Sequence, residues 1–147
     1  MALPEQTLKT LIAAYESLSP QSIDALLACY AENARFRDPF NDVVGRRAIG
    51  AVFAHMFETV EKPSFRVSGR FDSADAVVLR WEFGFHSARL GGAQAITGLS
   101  TLRFDSDGLV VEHLDYWDAS GNLYEKLPLI GGLLRWLRRS LAAPQGD

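Results

Sequence analysis

The sequence predicts an α+β domain: three helices, then a curved antiparallel sheet, then a short C-terminal helix. Three observations carry that prediction. Apolar residues recur at helical spacing through much of the stretch from Pro4 to Val60. The period changes to two after Pro63. The period-two segments are joined by short turns at Asp72-Ser73-Ala74-Asp75, Gly91-Gly92 and Asp105-Ser106-Asp107-Gly108. Turns of that length join antiparallel neighbours, so the strands form a meander.

Each element has its own signal. Leu8, Leu11, Ile12, Tyr15 and Leu18 predict a first amphipathic helix over roughly Pro4 to Leu18. Ser19-Pro20 predicts an N-cap and an N1 proline for a second helix, with Ile23, Leu26, Leu27 and Tyr30 as its stripe. Ala34 to Asp38 reads as a short strand ended by Pro39, which has no amide to donate to a ladder. Asn41, Asp42 and Gly45 read as a loop. Ile49, Val52, Phe53, Met56, Phe57 and Val60 mark one face of a third helix, with His55 on the opposite, solvent side.

Phe65, Val67 and Phe71 mark the next strand. Ala76 to Ser87 is a long one, with Val77, Leu79, Trp81, Phe83 and Phe85 on one face and Val78, Arg80, Glu82, Gly84 and His86 on the other. Both faces carry apolar residues, so period alone does not say which lies inside. Ala93 to Asp105 puts Ile96, Gly98, Ser100, Leu102 and Phe104 together. Leu109 to Trp117 does the same for Val111, His113, Asp115 and Trp117. Pro128 and Gly131-Gly132 delay a last helix until about Leu133. Its apolar stripe is Leu133, Leu134, Leu137 and Leu141, and its basic edge is Arg135, Arg138 and Arg139. Packing of that stripe on its own sheet or on a second copy is the expectation. A membrane-surface role is the alternative.

Composition bounds the function. A chain of 147 residues, 48% hydrophobic and 22% charged, makes one ordinary domain with a proper core. A net charge of −3 gives no nucleic-acid footprint. The single cysteine, Cys29, excludes an internal disulfide and a cysteine metal cluster, and reads as a small buried hydrophobe. Met1 to Glu5 lacks the basic and apolar run of a signal peptide, and no apolar run approaches the ~20 residues of a membrane span. A cytoplasmic protein is expected. His55, His86 and His113 lack metal-site spacing, and no phosphate-binding loop or nucleophile elbow occurs. No metal and no cofactor is expected.

Two constellations could carry chemistry. Arg80 and Glu82 share a strand face, and so do His113 and Asp115, with Trp117 beside them. A carboxylate beside an imidazole in apolar surroundings is an acid/base pair whose environments drive the two groups apart. Asp38, at a strand end before Pro39, adds a third carboxylate. The other reading is a surface salt bridge and a satisfied sheet histidine.

The stretch Cys29-Tyr30-Ala31-Glu32-Asn33-Ala34-Arg35-Phe36-Arg37-Asp38-Pro39-Phe40, followed by Val43-Val44-Gly45-Arg46-Arg47-Ala48-Ile49, resembles the nuclear transport factor 2-like superfamily in its SnoaL-like branch. Asp107 to Asp118 resembles that branch's last strand. The resemblance implies a cone-shaped sheet wrapped around the helices, a pocket inside, and a homodimer through the sheet's outer surface. Asp38-Pro39 matches the base of the ketosteroid isomerase pattern. Ala14 and Ser100 stand where that pattern has its oxyanion tyrosine and protonated aspartate, with Tyr15 one step out of register. That departure argues against steroid isomerisation by that mechanism. Arg80-Trp81-Glu82 and Asp115 resemble the limonene epoxide hydrolase pattern, with Phe36 and Asp38 where it positions water. Asp115 also matches the acid/base aspartate of polyketide cyclases.

The resemblance therefore implies that Arg80, Glu82, His113 and Asp115 face inward. The catalytic candidates are Asp38, Asp115, His113, Arg80 and Glu82. The ligand-binding candidates are Tyr30, Phe36, Phe53, Met56, Ser100 and Trp117. Two functions stay open: a cofactor-independent isomerase, cyclase or epoxide hydrolase acting on a small apolar molecule, or a non-catalytic module binding a hydrophobic ligand or a partner protein.

Overall fold

A computed structural model describes residues 5–144. Helix α1 (Glu5–Glu16) and the short α2 (Ile23–Leu27) precede strands β1 (Tyr30–Arg37) and β2 (Asp42–Val44) and helix α3 (Arg46–Thr59). Strands β3 (Glu61–Asp72), β4 (Val77–Ser87), β5 (Gly92–Phe104) and β6 (Val110–Tyr116) follow. Helix α4 (Ala119–Asn122), a 3-10 turn at Tyr124–Lys126 and helix α5 (Ile130–Leu141) close the described chain. The six strands make one sheet in the order β2-β1-β6-β5-β4-β3. The meander from β3 to β6 is antiparallel as its turns predict. Strand β1 runs parallel to β6, a pairing that the long connection through β2, α3 and β3 to β5 permits.

Several elements differ from their sequence signals. The Ser19 amide donates to Ser22 Oγ at 2.8 Å and the Ser22 amide to the Ser19 carbonyl at 3.0 Å. These bonds close a turn over residues 19–22, so α2 is capped at Ser22 rather than Ser19 and is only one turn and a half long. Tyr30 opens β1 instead of closing a helix. The expected loop at Asn41 and Asp42 includes strand β2, where the Arg35 guanidinium grips the Asp42 carboxylate at 2.8 and 3.0 Å. A register shift between Val67 and Gly69 turns Phe71 outward opposite Val78, where it is exposed. Cys29 is half-buried, and burial pushes its thiol up.

The core lies between the helices and the inner sheet face. Leu8, Leu11, Leu26, Ile49 and Phe53 pack against Phe36, Leu79, Leu102 and Val110. Each such side chain contributes about 1.5–3 kcal/mol by leaving water. A second cluster joins Trp81, Phe85 and Ile96 to Trp117 and Leu123, which follow β6 and close the other end of the sheet.

Trp81 needs a gap in the neighbouring strand. It sits opposite Gly98, and a Cβ built on Gly98 would run into Cη2 and Cζ2 of the indole. Gly98→Ala is therefore expected to cost about 1–3 kcal/mol by overpacking. Urea unfolding would show a lower midpoint at an unchanged slope, and an unchanged midpoint would refute the close approach.

Candidate functional site

Five side chains from four elements meet inside the sheet. Tyr15 comes from the last turn of α1, which is pinned where the adjacent Glu16 carboxylate accepts the Val67 amide at 3.1 Å. Arg70 clamps the other end of α1 through Glu5 at 2.8 Å. Tyr30 begins β1, and Arg46 of α3 donates to its carbonyl at 2.7 Å. His113 lies on β6 between its strand partners Phe36 and Leu102. Ser100 and Asp115 face each other across β5 and β6.

These side chains form one hydrogen-bonded chain. The hydroxyls of Tyr15 and Tyr30 contact each other, and both reach His113 Nδ1, at 2.8 and 2.7 Å. His113 Nε2 lies 2.6 Å from Asp115 Oδ1 and 3.2 Å from Ser100 Oγ. Ser100 accepts from the Trp81 indole at 2.8 Å and donates to Asp115 at 2.5 Å. In the neutral tautomer that satisfies these partners, Nε2–H donates to Asp115 and Nδ1 accepts from one phenol. The second phenol then donates to the first. Burial pushes both phenols upward: Tyr15 through desolvation and then Tyr30 beside it, and Tyr30 through desolvation, partly offset by its bond to Tyr15. Both therefore stay protonated as donors.

Around this chain lies a narrow, partly open cavity of about 30 Å³, lined by Tyr15, Phe53, Phe65, Trp81, Ser100 and His113 among others. It has room for a water molecule or two. Asp115, 17% exposed at its side chain, borders both this cavity and an open cleft of about 530 Å³. Arg37, Asp38, Pro39, Leu114 and Trp117 line that cleft. The polar chain thus runs from a buried interior to an open mouth.

A family model for the SnoaL-like domain matches residues 11–113. The chain belongs to the SnoaL-like family. No curated protein matches it. Solved structures share the fold of this SnoaL-like domain. One is a hypothetical protein with a ketosteroid isomerase-like fold from Catenulispora acidiphila, in complex with trimethylamine, at 21% identity and TM-score 0.70, covering 86% of this chain and 96% of that one. Another is TsrD from Streptomyces laurentii, at 21% identity and TM-score 0.68, covering 86% and 98%. A third is a putative SnoaL-like polyketide cyclase from Shewanella denitrificans, at 23% identity and TM-score 0.63, covering 81% and 95%. At this level of identity the likeness is one of fold, and a fold does not carry a function with it.

Within the SnoaL-like fold the candidate residues separate. His113, Asp115, Ser100 and Tyr30 meet in the chain described above. Phe53 lines the cavity, and Phe36 packs edge-on against both Phe53 and His113. Met56 is half-buried against the core, and Trp117 borders the cleft. Arg80 and Glu82 do not face inward as the resemblance implies. Trp81 occupies the inner face of β4. Glu82 pairs with Arg66 across the outer face, and Arg80 bonds Ser68 at 3.2 Å. Asp38 sits on the cleft lip, and its carboxylate accepts from the amides of Phe40 and Asn41 at 2.8 and 2.7 Å, closing a turn. Among the described residues no cluster of three or more histidine, cysteine, aspartate or glutamate side chains could hold a metal ion.

Tyr15 and Trp81 are the members that sequence reasoning left out. Each had a signal. Tyr15 is the polar-tipped residue in the apolar stripe of α1, and a buried tyrosine needs a partner for its hydroxyl. Gly98, the gap between Ile96 and Ser100 on β5, marks where the Trp81 ring lies.

Proposed function

We propose that the site performs cofactor-independent acid/base chemistry on a small apolar molecule, as an isomerase, cyclase or epoxide-hydrolase-like enzyme. The observation that supports this reading is the unbroken chain from Tyr15 and Tyr30 through His113 to Asp115. Asp115 is the base, because it alone of these groups reaches the cleft. His113 links it to the phenols. The neutral ring accepts at Nδ1 from Tyr30, and Tyr15, which lines the cavity, can turn its hydrogen from the Tyr30 oxygen to a developing oxyanion there. A proton taken from the substrate stays on the Asp115 carboxyl, because Nε2 already holds a hydrogen and donates it to Asp115. The cavity fits only the reacting atom of a substrate, and its body would lie in the cleft.

Carbon-bound proton abstraction leaves a trace that needs no known product. A panel of small ketones in deuterated water, followed by NMR, reads exchange beside the carbonyl, and a panel of small epoxides reads ring opening. Turnover by the wild type should fall about 100-fold or more in Asp115→Asn. Asp38→Asn should retain it, because that carboxylate is already committed to its turn. Equal turnover in Asp115→Asn would sink the assignment. A second reading rests on the cavity's small size: the chain of hydrogen bonds then specifies the core of a binding module. Inactivity of the wild type on both panels, with a hydrophobic ligand retained in native mass spectrometry, would favour it.

A further inference from the structure

Helix α5 turns its apolar side away from the domain. Leu129, Ile130, Leu133, Trp136, Leu137 and Leu141 are all exposed, Leu129 by 93% and Leu141 by 84%. The expected packing of this stripe on the sheet is not what the structure shows. What holds α5 in place is its other side. Gly131 lies so close to the Glu125 backbone that a Cβ would collide with the carbonyl oxygen. Arg135 donates to that same carbonyl, and Arg138 Nε lies 3.1 Å from the Glu125 carboxylate. The helix is therefore latched by its basic edge and leaves Leu133, Leu137 and Leu141 in water, with Leu134 half-buried.

The start of α5 repeats this pattern. Leu129 has φ 67° and ψ −65°, a γ-turn closed by the Ile130 amide on the Pro128 carbonyl at 2.8 Å. Leucine adopts that conformation only at a cost. The result is a large apolar side chain directed into solvent, which gains nothing inside this fold.

Charge selects the occupant of the stripe. From Ala119 to Leu141 the chain carries Lys126, Arg135, Arg138 and Arg139 against one acid, Glu125, although the whole chain has a net charge of −3. Arg138 keeps 65% of its side chain exposed, and Arg139 has no ion-pair partner among the described residues. We infer that α5 docks the domain on an anionic lipid bilayer, with its leucines and Trp136 at the acyl boundary and its arginines among the phosphates. A strongly amphipathic helix with arginines on one edge and leucine and tryptophan on the other fits that boundary. No helix of the described residues is long and apolar enough to cross a membrane, and α5 spans about 18 Å, so it lies in the surface. A second copy fits less well. It would cover the leucines but supply no anion from α5 to the arginines on the opposite edge, since neither helix carries an acid.

Co-sedimentation of the full chain with vesicles tests the proposal. The expected result is at least about tenfold more binding to an equimolar mixture of phosphatidylcholine and phosphatidylglycerol than to phosphatidylcholine alone, declining as salt rises. Leu133→Glu with Leu137→Glu should abolish binding, and both positions are exposed, so circular dichroism and the unfolding midpoint should not change. Arg139→Glu should weaken binding to the anionic vesicles selectively. Equal binding to both vesicle types overturns the proposal, as does no binding to either. If the wild type fails to bind and is a dimer that Leu133→Glu with Leu137→Glu splits into monomers, the stripe belongs to a second copy and the lipid assignment is wrong.

Discussion

Replacing His113 with leucine should destabilise the domain by about 2–4 kcal/mol, without a large loss of packing. The ring is 2% exposed, and both its nitrogens are used. Leucine keeps an apolar neighbour for Phe36, whose ring centroid lies 4.8 Å from the imidazole. It gives nothing to the phenols. Tyr15 and Tyr30 can still bond each other, but only one hydrogen is satisfied that way, so a buried donor is stranded. A stranded buried donor costs about 1–3 kcal/mol. Asp115 loses its imidazole partner but keeps Ser100 and its opening to the cleft. The cost therefore comes mainly from the tyrosine side. Adding Tyr15→Phe and Tyr30→Phe should restore most of the stability, because removing every polar partner together leaves nothing unsatisfied. Urea unfolding of the single, double and triple variants gives the coupling directly. Additive losses would mean that the three residues do not act as one network.

That network shows how far the sequence could be read. Period, turns and caps reach only local partners, and they suffice for the meander and for the shared face of His113, Asp115 and Trp117. They do not place Tyr15 against His113, which lies 98 positions away. That contact follows from the docking of α1, by Leu8 and Leu11 in the core and by the Glu16–Val67 bond at its end, and no local pattern announces it. Nor does any turn announce the parallel pairing of β1 with β6, since it has no hairpin. The face of β4 was ambiguous because Val78 and Gly84 break the polar side and Arg80 and Glu82 also match a family pattern. The resemblance chose the wrong side for those two residues. The structure decides it: the Trp81 ring lies on the inner face, in the gap that Gly98 leaves on β5. The outward stripe of α5 was legible as an amphipathic pattern. Its direction was not, because Glu125, which latches the basic edge, reads as an ordinary surface acid until the turn at Tyr124–Lys126 buries it.

Above about pH 10 the domain should lose stability steeply, at a limiting slope of about 2.7 kcal/mol per pH unit from its two buried phenols. The sign follows from which state holds the protons. Burial raises both Tyr15 and Tyr30 in the folded chain. In the unfolded chain the same phenols ionise at about pH 10, the usual tyrosine value. Below that pH both states are protonated, and the phenols contribute no pH dependence. Above it the unfolded state releases two protons that the folded state retains, so each further unit of pH favours unfolding. The stability is fully present below the unfolded value and is lost as pH rises toward the folded one. Cys29, whose thiol burial also raises, starts a smaller loss earlier, so the comparison belongs in a Cys29→Ala background. Urea unfolding between about pH 8 and about pH 11 should then give a steep decline for the parent and a much shallower one for Tyr15→Phe with Tyr30→Phe. The double variant's own stability at neutral pH cancels, because the slope is compared rather than the level. Each single variant should show an intermediate slope. Identical slopes in parent and double variant would mean that the phenols ionise inside the fold, and the hydroxyl pair could not then serve as the protonated donor that the proposed chemistry requires.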